Sequence, residues 1–254
     1  MFRDELVVDV CRSPAAWTLP SHASIFSSLP ITRHGVRMPE DRVPENVPVL
    51  AAELARRGYR TLAVTGGGLV DARYGFDRGF ETYVSSADPV SAAVERAFSL
   101  IDARRNVPTF LFFHTFQVHD FRATRRSVEE VYARQPPAAL SGRSFDFLLE
   151  KVTTLPHEEE FALRPARYDA ALREVDDVFD DFVHGLKQRR LWERTALFVT
   201  SDHGQELEER PARTPGLRPY EGHTLPYLYE EGLRVPLFAR VPGSPRSAAT
   251  SRPR

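Results

Sequence analysis

A strand-like run followed by a polar turn constrains the fold of this chain more than any other feature. Residues 195–200 read TALFVT, a β-branched and aromatic run that follows a charged, helix-like segment. Such a run predicts a buried strand of an α/β sheet, and ligands of these sheets lie beyond the carboxyl ends of the strands. Asp202 and His203 leave the strand at that point, and both side chains can bind a divalent metal. The alternative is a polar turn with a capping aspartate.

The rest of the chain alternates between strand and helix patterns. Further strands are predicted at residues 6–8, 61–64, 109–113 and 235–239. Helices are predicted at residues 48–57, from Asp88-Pro89 onward, and at residues 168–186, where the apolar residues share one face. The acidic face of the last helix is interpreted as solvated surface rather than as a metal site; it holds Glu174, Asp176, Asp177, Asp180 and Asp181. This order predicts a mainly parallel sheet with helices on both faces.

One domain is expected over residues 1–241. Within it, residues 121–165 mix charges, prolines and small residues, which indicates a long excursion over the active edge of the sheet. Residues 242–254 have no apolar period, so we expect a disordered tail.

The composition excludes several classes of function. The net charge is −1 and the isoelectric point is about 6.7, so nothing predicts binding to nucleic acid or to a membrane surface. The sequence has no apolar run of membrane-spanning length and does not open on a signal peptide, so a cytoplasmic location is the default expectation. The single cysteine, Cys11, excludes an intrachain disulfide framework and a multi-cysteine metal site.

A second group of chemically interesting residues lies near the start, in the segment AWTLPSHASIF at residues 16–26. Pro20 and Ser21 suit the opening of a helix, with Thr18 on the turn before it. The N-terminus of a helix can hold an oxyanion, and a hydroxyl near a divalent metal could attack phosphorus or sulfur. The alternative is that Thr18 and Ser21 only cap the helix.

Together these segments resemble the sulfatase family of the alkaline phosphatase superfamily over nearly the whole chain. The similar segments follow one another in the order of the family. They are residues 17–24, 29–36, 58–63, 75–80, 110–119, 168–176, 200–204 and 222–237. The resemblance implies an alkaline-phosphatase-like α/β fold and a hydrolase of phosphate or sulfate esters.

The resemblance also implies roles for individual residues. Thr18 falls at the position of the family's nucleophile, and Asp202 and His203 fall on metal ligands that would hold Ca, Mg, Mn or Zn. His22 falls where many sulfatases have an arginine that supports the nucleophile. The substrate implied is a small-molecule, glycan or lipid ester.

Two further histidines fall on positions that handle the ester. His119 falls on the histidine that contacts the ester oxygens or the leaving group, and His223 falls near the basic residue that steadies the transferred group. His114, at the end of a predicted strand, is a weaker candidate than His119. His34 is interpreted as structural.

The nucleophile position departs from the pattern of true sulfatases. Those enzymes modify a cysteine or serine to formylglycine within a motif that ends in arginine. Here the two positions hold Thr18 and His22, so we do not expect that modification. Threonine is the nucleophile of members that resemble nucleotide pyrophosphatases and phosphoethanolamine transferases, which favours a phosphate mono- or diester and leaves a sulfate ester open.

The start of the chain departs from the family as well. The family opens with a strand that carries one or two aspartate metal ligands, whereas Asp4 and Asp9 lie too close to Thr18 to match them. The expectation is therefore a fragment, truncated at both ends, that lacks the first metal-binding strand. Two alternatives to a hydrolase follow: an inactive remnant, and a transferase that moves a phospho-group to a lipid or glycan.

Overall fold

A computed structural model describes residues 6–119, 121, 127, 157–207, 221–222 and 228–243, with residues 157–163 and 221–222 described by their backbone alone. The helices are α1 (Thr18–Ser27), α2 (Ile31–His34), α3 (Leu50–Arg56), α4 (Val90–Asp102), α5 (His157–Gln188) and α6 (Glu230–Leu233). The longer strands are β3 (Arg60–Thr65), β4 (Thr82–Ser85), β5 (Thr109–Phe113), β6 (Leu197–Thr200) and β10 (Leu237–Arg240). The described residues also contain five two-residue strands: β1 (Leu6–Val7), β2 (Cys11–Arg12), β7 (Glu206–Leu207), β8 (Glu221–Gly222) and β9 (Arg234–Val235).

A parallel sheet in the order β4-β3-β5 forms one wall of the fold. Its central strand, β3, is buried along its whole length. Leu62 pairs with Thr82 on one side and with Leu111 on the other. Because all three strands run the same way, their carboxyl ends meet at one edge, and β5 delivers His114 to that edge.

A second, antiparallel sheet carries the turn with Asp202. Its order is β1-β10-β6, and Phe238 of β10 lies between Val7 of β1 and Val199 of β6. Pro236 separates β9 from β10, since proline has no N–H to donate to a ladder. Among the described residues, parallel pairing is therefore confined to the β4-β3-β5 sheet.

Two apolar clusters pack the helices onto these sheets. The first surrounds α1, where the Phe26 ring lies edge-on to Phe76 and Phe112, with centroids 5.3 and 4.7 Å apart. The second joins β3, α4 and α5 through Leu62, Phe98 and Leu186. The first cluster fixes α1, and with it Thr18, against the end of β5.

Most predicted elements occur close to their predicted bounds. The strand at residues 109–113 is confirmed, and the helix predicted at residues 168–186 is longer, since α5 begins at His157 and contains Pro165. The prediction missed β4, a four-residue strand. The 121–165 excursion and the 242–254 tail lie mostly outside the described residues, and their domain bounds stay a prediction. In the part of the chain that the structure describes, no helix is long and apolar enough to cross a membrane.

His34 ties α2 to α1 in the interior. Its side chain is 1% exposed, and its Nδ1 accepts a hydrogen bond from the Val36 N–H at 3.1 Å. The proton of the neutral ring is then on Nε2, which donates to the Ser24 hydroxyl at 2.9 Å. Burial lowers the pKa of His34 below its ordinary value of 6.5. The structural role predicted for this histidine agrees with these contacts.

The buried His34 should make the protein less stable in mild acid. Because its pKa is lower in the folded than in the unfolded state, its contribution is complete above pH 6.5 and is lost as the pH falls toward the folded value. We expect the free energy of unfolding of the wild type to fall relative to that of His34→Gln between pH 7 and 5, by up to about 1.4 kcal/mol per pH unit. Urea titrations at each pH measure this difference. The control is His184→Gln, an exposed position on α5; equal pH slopes for all three proteins would contradict the prediction.

Candidate active site

The nucleophile candidate lies at the start of α1. Thr18 is the first residue of the helix rather than part of the turn before it, and it follows Trp17 in extended conformation. Its side chain is 3% exposed. The Thr18 hydroxyl oxygen lies 3.3 Å from Nε2 of His203, so α1 and the end of β6 meet at this hydroxyl.

A carboxylate oxygen of Asp202 and a ring nitrogen of His203 lie close together, each with a lone pair. Nδ1 of His203 lies 2.8 Å from the Gly204 carbonyl oxygen, which can only accept, so in the neutral ring the proton is on Nδ1 and the lone pair on Nε2. That Nε2 lies 3.4 Å from Oδ2 of Asp202. Two acceptors this close favour a cation or a proton between them, and the fixed tautomer is the one that a metal-binding histidine needs.

The donor set for a divalent ion is therefore present in part. Oδ2 of Asp202, Nε2 of His203 and the Thr18 hydroxyl are three donor atoms that suit such an ion. No cluster of three or more His, Cys, Asp or Glu residues suited to a metal occurs within the described residues. The arrangement fits an ion that also takes ligands from water or substrate.

His22 connects Thr18 to Asp202. Its Nδ1 lies 3.0 Å from the Thr18 carbonyl oxygen and 3.3 Å from Oδ2 of Asp202. Both neighbours accept, so Nδ1 carries a proton and donates to them. Burial by itself would raise the pKa of Asp202, but the hydrogen bond from His22 and the electrostatic influence of the neighbouring imidazole rings outweigh it and lower the pKa. His22 thus favours the carboxylate form of Asp202.

Two serine hydroxyls hold the backbone of the same turn. Ser21 donates to the Asp202 carbonyl oxygen at 2.5 Å, and Ser13 also contacts this oxygen. The two hydroxyl oxygens lie 2.9 Å apart. Ser21, which lies near the start of α1, therefore also joins this helix to the Asp202 turn.

Gly204 allows the turn to lie against the backbone of α6. Its N–H donates to the Gly232 carbonyl at 2.8 Å. A Cβ on Gly204 would lie 1.9 Å from the Glu231 carbonyl oxygen. The absence of a side chain at Gly204 thus permits a close contact between the two backbones.

A cavity of about 100 Å³ opens between the ends of β5 and β6. Thr18, Asp202 and His203 line one side, and His114 and His119 line another. Burial lowers the pKa of His114 to about 3, so this ring is neutral at physiological pH. His119 is exposed at the rim.

The structure brings together most of the residues predicted for the site. Thr18, His22, Asp202 and His203 are in mutual contact, and His119 faces the same cavity. His223 lies outside the described residues. The prediction missed Ser13, which lies outside the similar segments. It also gave no role to Tyr168, which opens the similar segment at residues 168–176 and lines the cavity from α5.

Comparison with known families decides the classification. A family model described as Sulfatase matches residues 7–254. The chain belongs to the sulfatase family. A comparison of its sequence with curated proteins finds no match.

Solved structures of sulfatase-like proteins share the fold. The phosphonate monoester hydrolase of Agrobacterium radiobacter is 16% identical, with a TM-score of 0.67 over 95% of this chain and 62% of that one. The protein BT4656, solved in complex with its substrate D-glucosamine-2-N,6-O-disulfate, is 15% identical, with a TM-score of 0.67 over 95% of this chain and 65% of that one. The lipoteichoic acid synthase LtaP from Listeria monocytogenes is 15% identical, with a TM-score of 0.61 over 96% of this chain and 58% of that one.

These similarities confirm the alkaline-phosphatase-like α/β fold of this sulfatase-family chain. The chain spans less than two thirds of the length of each of these three proteins. At identities of 15–16% they support the fold alone.

Proposed function

We propose that this sulfatase-family chain hydrolyses a phosphate or sulfate ester through Thr18 and a divalent metal ion. The observation that carries the proposal is the meeting of α1 and β6, which places the Thr18 hydroxyl 3.3 Å from His203 Nε2, beside Asp202. A hydroxyl at a helix N-terminus, next to a metal-type ligand pair, suits attack on an anionic ester.

Asp202 and His203 would hold the ion. When bound, the ion would act as a Lewis acid that offsets charge on the ester oxygens and lowers the pKa of the attacking hydroxyl. His22 would keep Asp202 ionised and in place through its hydrogen bond.

The remaining steps belong to the protein's own side chains. The Thr18 oxygen would bond to phosphorus or sulfur as the bond to the leaving oxygen breaks, and the hydroxyl proton would pass to water in the cavity. His119 at the rim would donate a proton to the leaving oxygen, and His223 would offset charge on the transferred group. Water would then hydrolyse the Thr18 ester.

The substrate class is proposed from the residue at the nucleophile position. An unmodified threonine favours a phosphate mono- or diester, carried on a small molecule, a glycan or a lipid. A sulfate ester remains the second candidate, since one structural neighbour has a sulfated sugar as its substrate.

Turnover assays test the proposal. The full chain is incubated with p-nitrophenyl phosphate, bis(p-nitrophenyl) phosphate and p-nitrophenyl sulfate, each with added Zn²⁺, Mn²⁺, Mg²⁺ or Ca²⁺. We expect metal-dependent turnover of at least one ester, and the preferred ester names the class. Folded protein that turns over no ester with any metal would contradict the proposal and favour the inactive remnant. Release of p-nitrophenol only in the presence of an alcohol acceptor would favour the transferase.

A further inference from the structure

The segment between β5 and His119 is anchored by two residues that the proposed mechanism does not use, Phe116 and Glu174. We propose that Phe116 and Glu174 are positioning residues that hold His119 at the rim of the cavity. The inference rests on the proposed function, in which His119 donates a proton to the leaving oxygen from this position.

The first anchor is the Phe116 ring, which packs onto a glycine loop. A Cβ on Gly66 would lie 2.7 Å from Cδ2 of Phe116, and one on Gly68 would lie 2.9 Å from Cζ. Gly66 does not have the positive φ that its neighbours Gly67 and Gly68 have. Its lack of a side chain therefore meets a packing requirement rather than a conformational one. The ring fills the space that the two glycines leave.

The same ring contacts both histidines of the segment. Its centroid lies 4.7 Å from that of His114 and 5.3 Å from that of His119, and both pairs are edge-on at 89°. Edge-to-face pairs at these distances are favourable beyond the area that they bury. The His119 side chain is exposed, and the Phe116 contact restricts the orientations that its ring can take.

The second anchor is the carboxylate of Glu174 on α5. Oε2 of Glu174 accepts a hydrogen bond from the side-chain amide of Gln117 at 3.1 Å. Oε1 accepts one from the Ser127 hydroxyl at 2.6 Å. One carboxylate oxygen thus binds a residue that precedes His119 in the sequence, and the other binds a residue that follows it. Glu174 differs here from its neighbours on the acidic face, since Asp177 and Asp181 are exposed as predicted.

The two anchors tie the segment to different parts of the fold. Phe116 connects the segment to the carboxyl edge of the parallel sheet, and Glu174 connects it to the helix that also brings Tyr168 to the cavity. A general acid acts only within hydrogen-bond reach of its target, and a displacement of about 1 Å can cost about 10²-fold in rate.

A spectroscopic test reports the position of His119 without any turnover. Two-dimensional spectra of the full chain, with ¹³C-labelled histidine rings, identify the His119 signal by its loss in His119→Gln. In the wild type the Phe116 ring should displace this signal from its free-histidine position. We expect Phe116→Ala and Glu174→Ala to move it toward that position, and Asp181→Ala, two turns along the same helix, to leave it in place.

Kinetics with two leaving groups form the second readout. On the ester class that the chain hydrolyses, Phe116→Ala and Glu174→Ala should lower kcat about 10²-fold for a phenol leaving group and much less for p-nitrophenol, which leaves without protonation. His119→Ala should give the same pattern. Gly66→Ala should behave like Phe116→Ala and should add nothing in the Phe116→Ala background.

The outcomes separate the inference from the proposed function. An unmoved His119 signal in both variants would overturn the inference, whatever the chain hydrolyses. A shift in only one variant would overturn it for the other residue. If His119→Ala lowers kcat equally for phenol and p-nitrophenol leaving groups, His119 does not donate the proton. The spectra would still test whether Phe116 and Glu174 position the His119 ring. If Phe116→Ala does not fold, Gly66→Ala takes its place, and if Glu174→Ala does not fold, Gln117→Ala takes its place.

Discussion

Thr18→Ala should lower turnover of the preferred ester by about 10⁴-fold or more, which is the scale on which loss of a nucleophile acts. The hydroxyl is the only reactive group of this side chain. It is buried and lies 3.3 Å from His203 Nε2. The methyl group of alanine occupies part of the same space, so the fold should survive. Steady-state kinetics at the metal that supports the fastest turnover measure the effect.

The matched control is Thr18→Ser, which keeps a hydroxyl at the same position. It should retain a measurable part of the activity, and circular dichroism and thermal melts of both variants should match the wild type. A Thr18→Ala protein that is folded and as active as the wild type would show that another group attacks the ester.

Gly204→Ala should both destabilise the protein and abolish activity. The added Cβ would lie 1.9 Å from the Glu231 carbonyl oxygen, and the obstacle is backbone rather than a flexible side chain. The turn that carries Asp202 and His203 must then move away from α6 and lose the hydrogen bond from the Gly204 N–H to Gly232. We expect a loss of about 3 kcal/mol in the free energy of unfolding, measured by urea titration.

Gly232→Ala is the control from the other side of the same contact. Its Cβ would meet only the Cβ of Ala16, at an ordinary distance of 3.7 Å. Alanine also has a higher helix propensity than glycine. The free energy of unfolding of this variant should therefore be unchanged or higher by up to about 1 kcal/mol. Equal effects of the two substitutions would contradict the close approach at Gly204.

Much of the fold could be predicted from local pattern alone. The run at β5 has both strand composition and clear flanking breaks, and its predicted bounds match the structure. The short strand β4 could not be predicted in the same way, because only its pairing beside β3 makes Thr82–Ser85 a strand. Likewise, the separation of the parallel from the antiparallel sheet depends on long-range pairing that periodicity does not report.

The candidate site, too, could be predicted only in part from the sequence. Thr18, Asp202 and His203 stand in motifs, so their neighbourhood could be predicted. Ser13 could not, since its hydroxyl contacts the Asp202 carbonyl across 189 positions of the sequence. The position of Glu174 among other acids favours a solvated surface, and only the packing of α5 beside Gln117 distinguishes this residue from its neighbours.

Covalent capture at Thr18 tests the central claim most directly. The full chain is mixed with its preferred ester and the active metal, quenched in acid within a turnover, digested and examined by mass spectrometry. We predict a phosphoryl or sulfuryl group on the peptide that contains Thr18, absent from the Thr18→Ala protein. Rapid turnover with no modified Thr18 peptide, together with full activity of Thr18→Ala, would contradict the account.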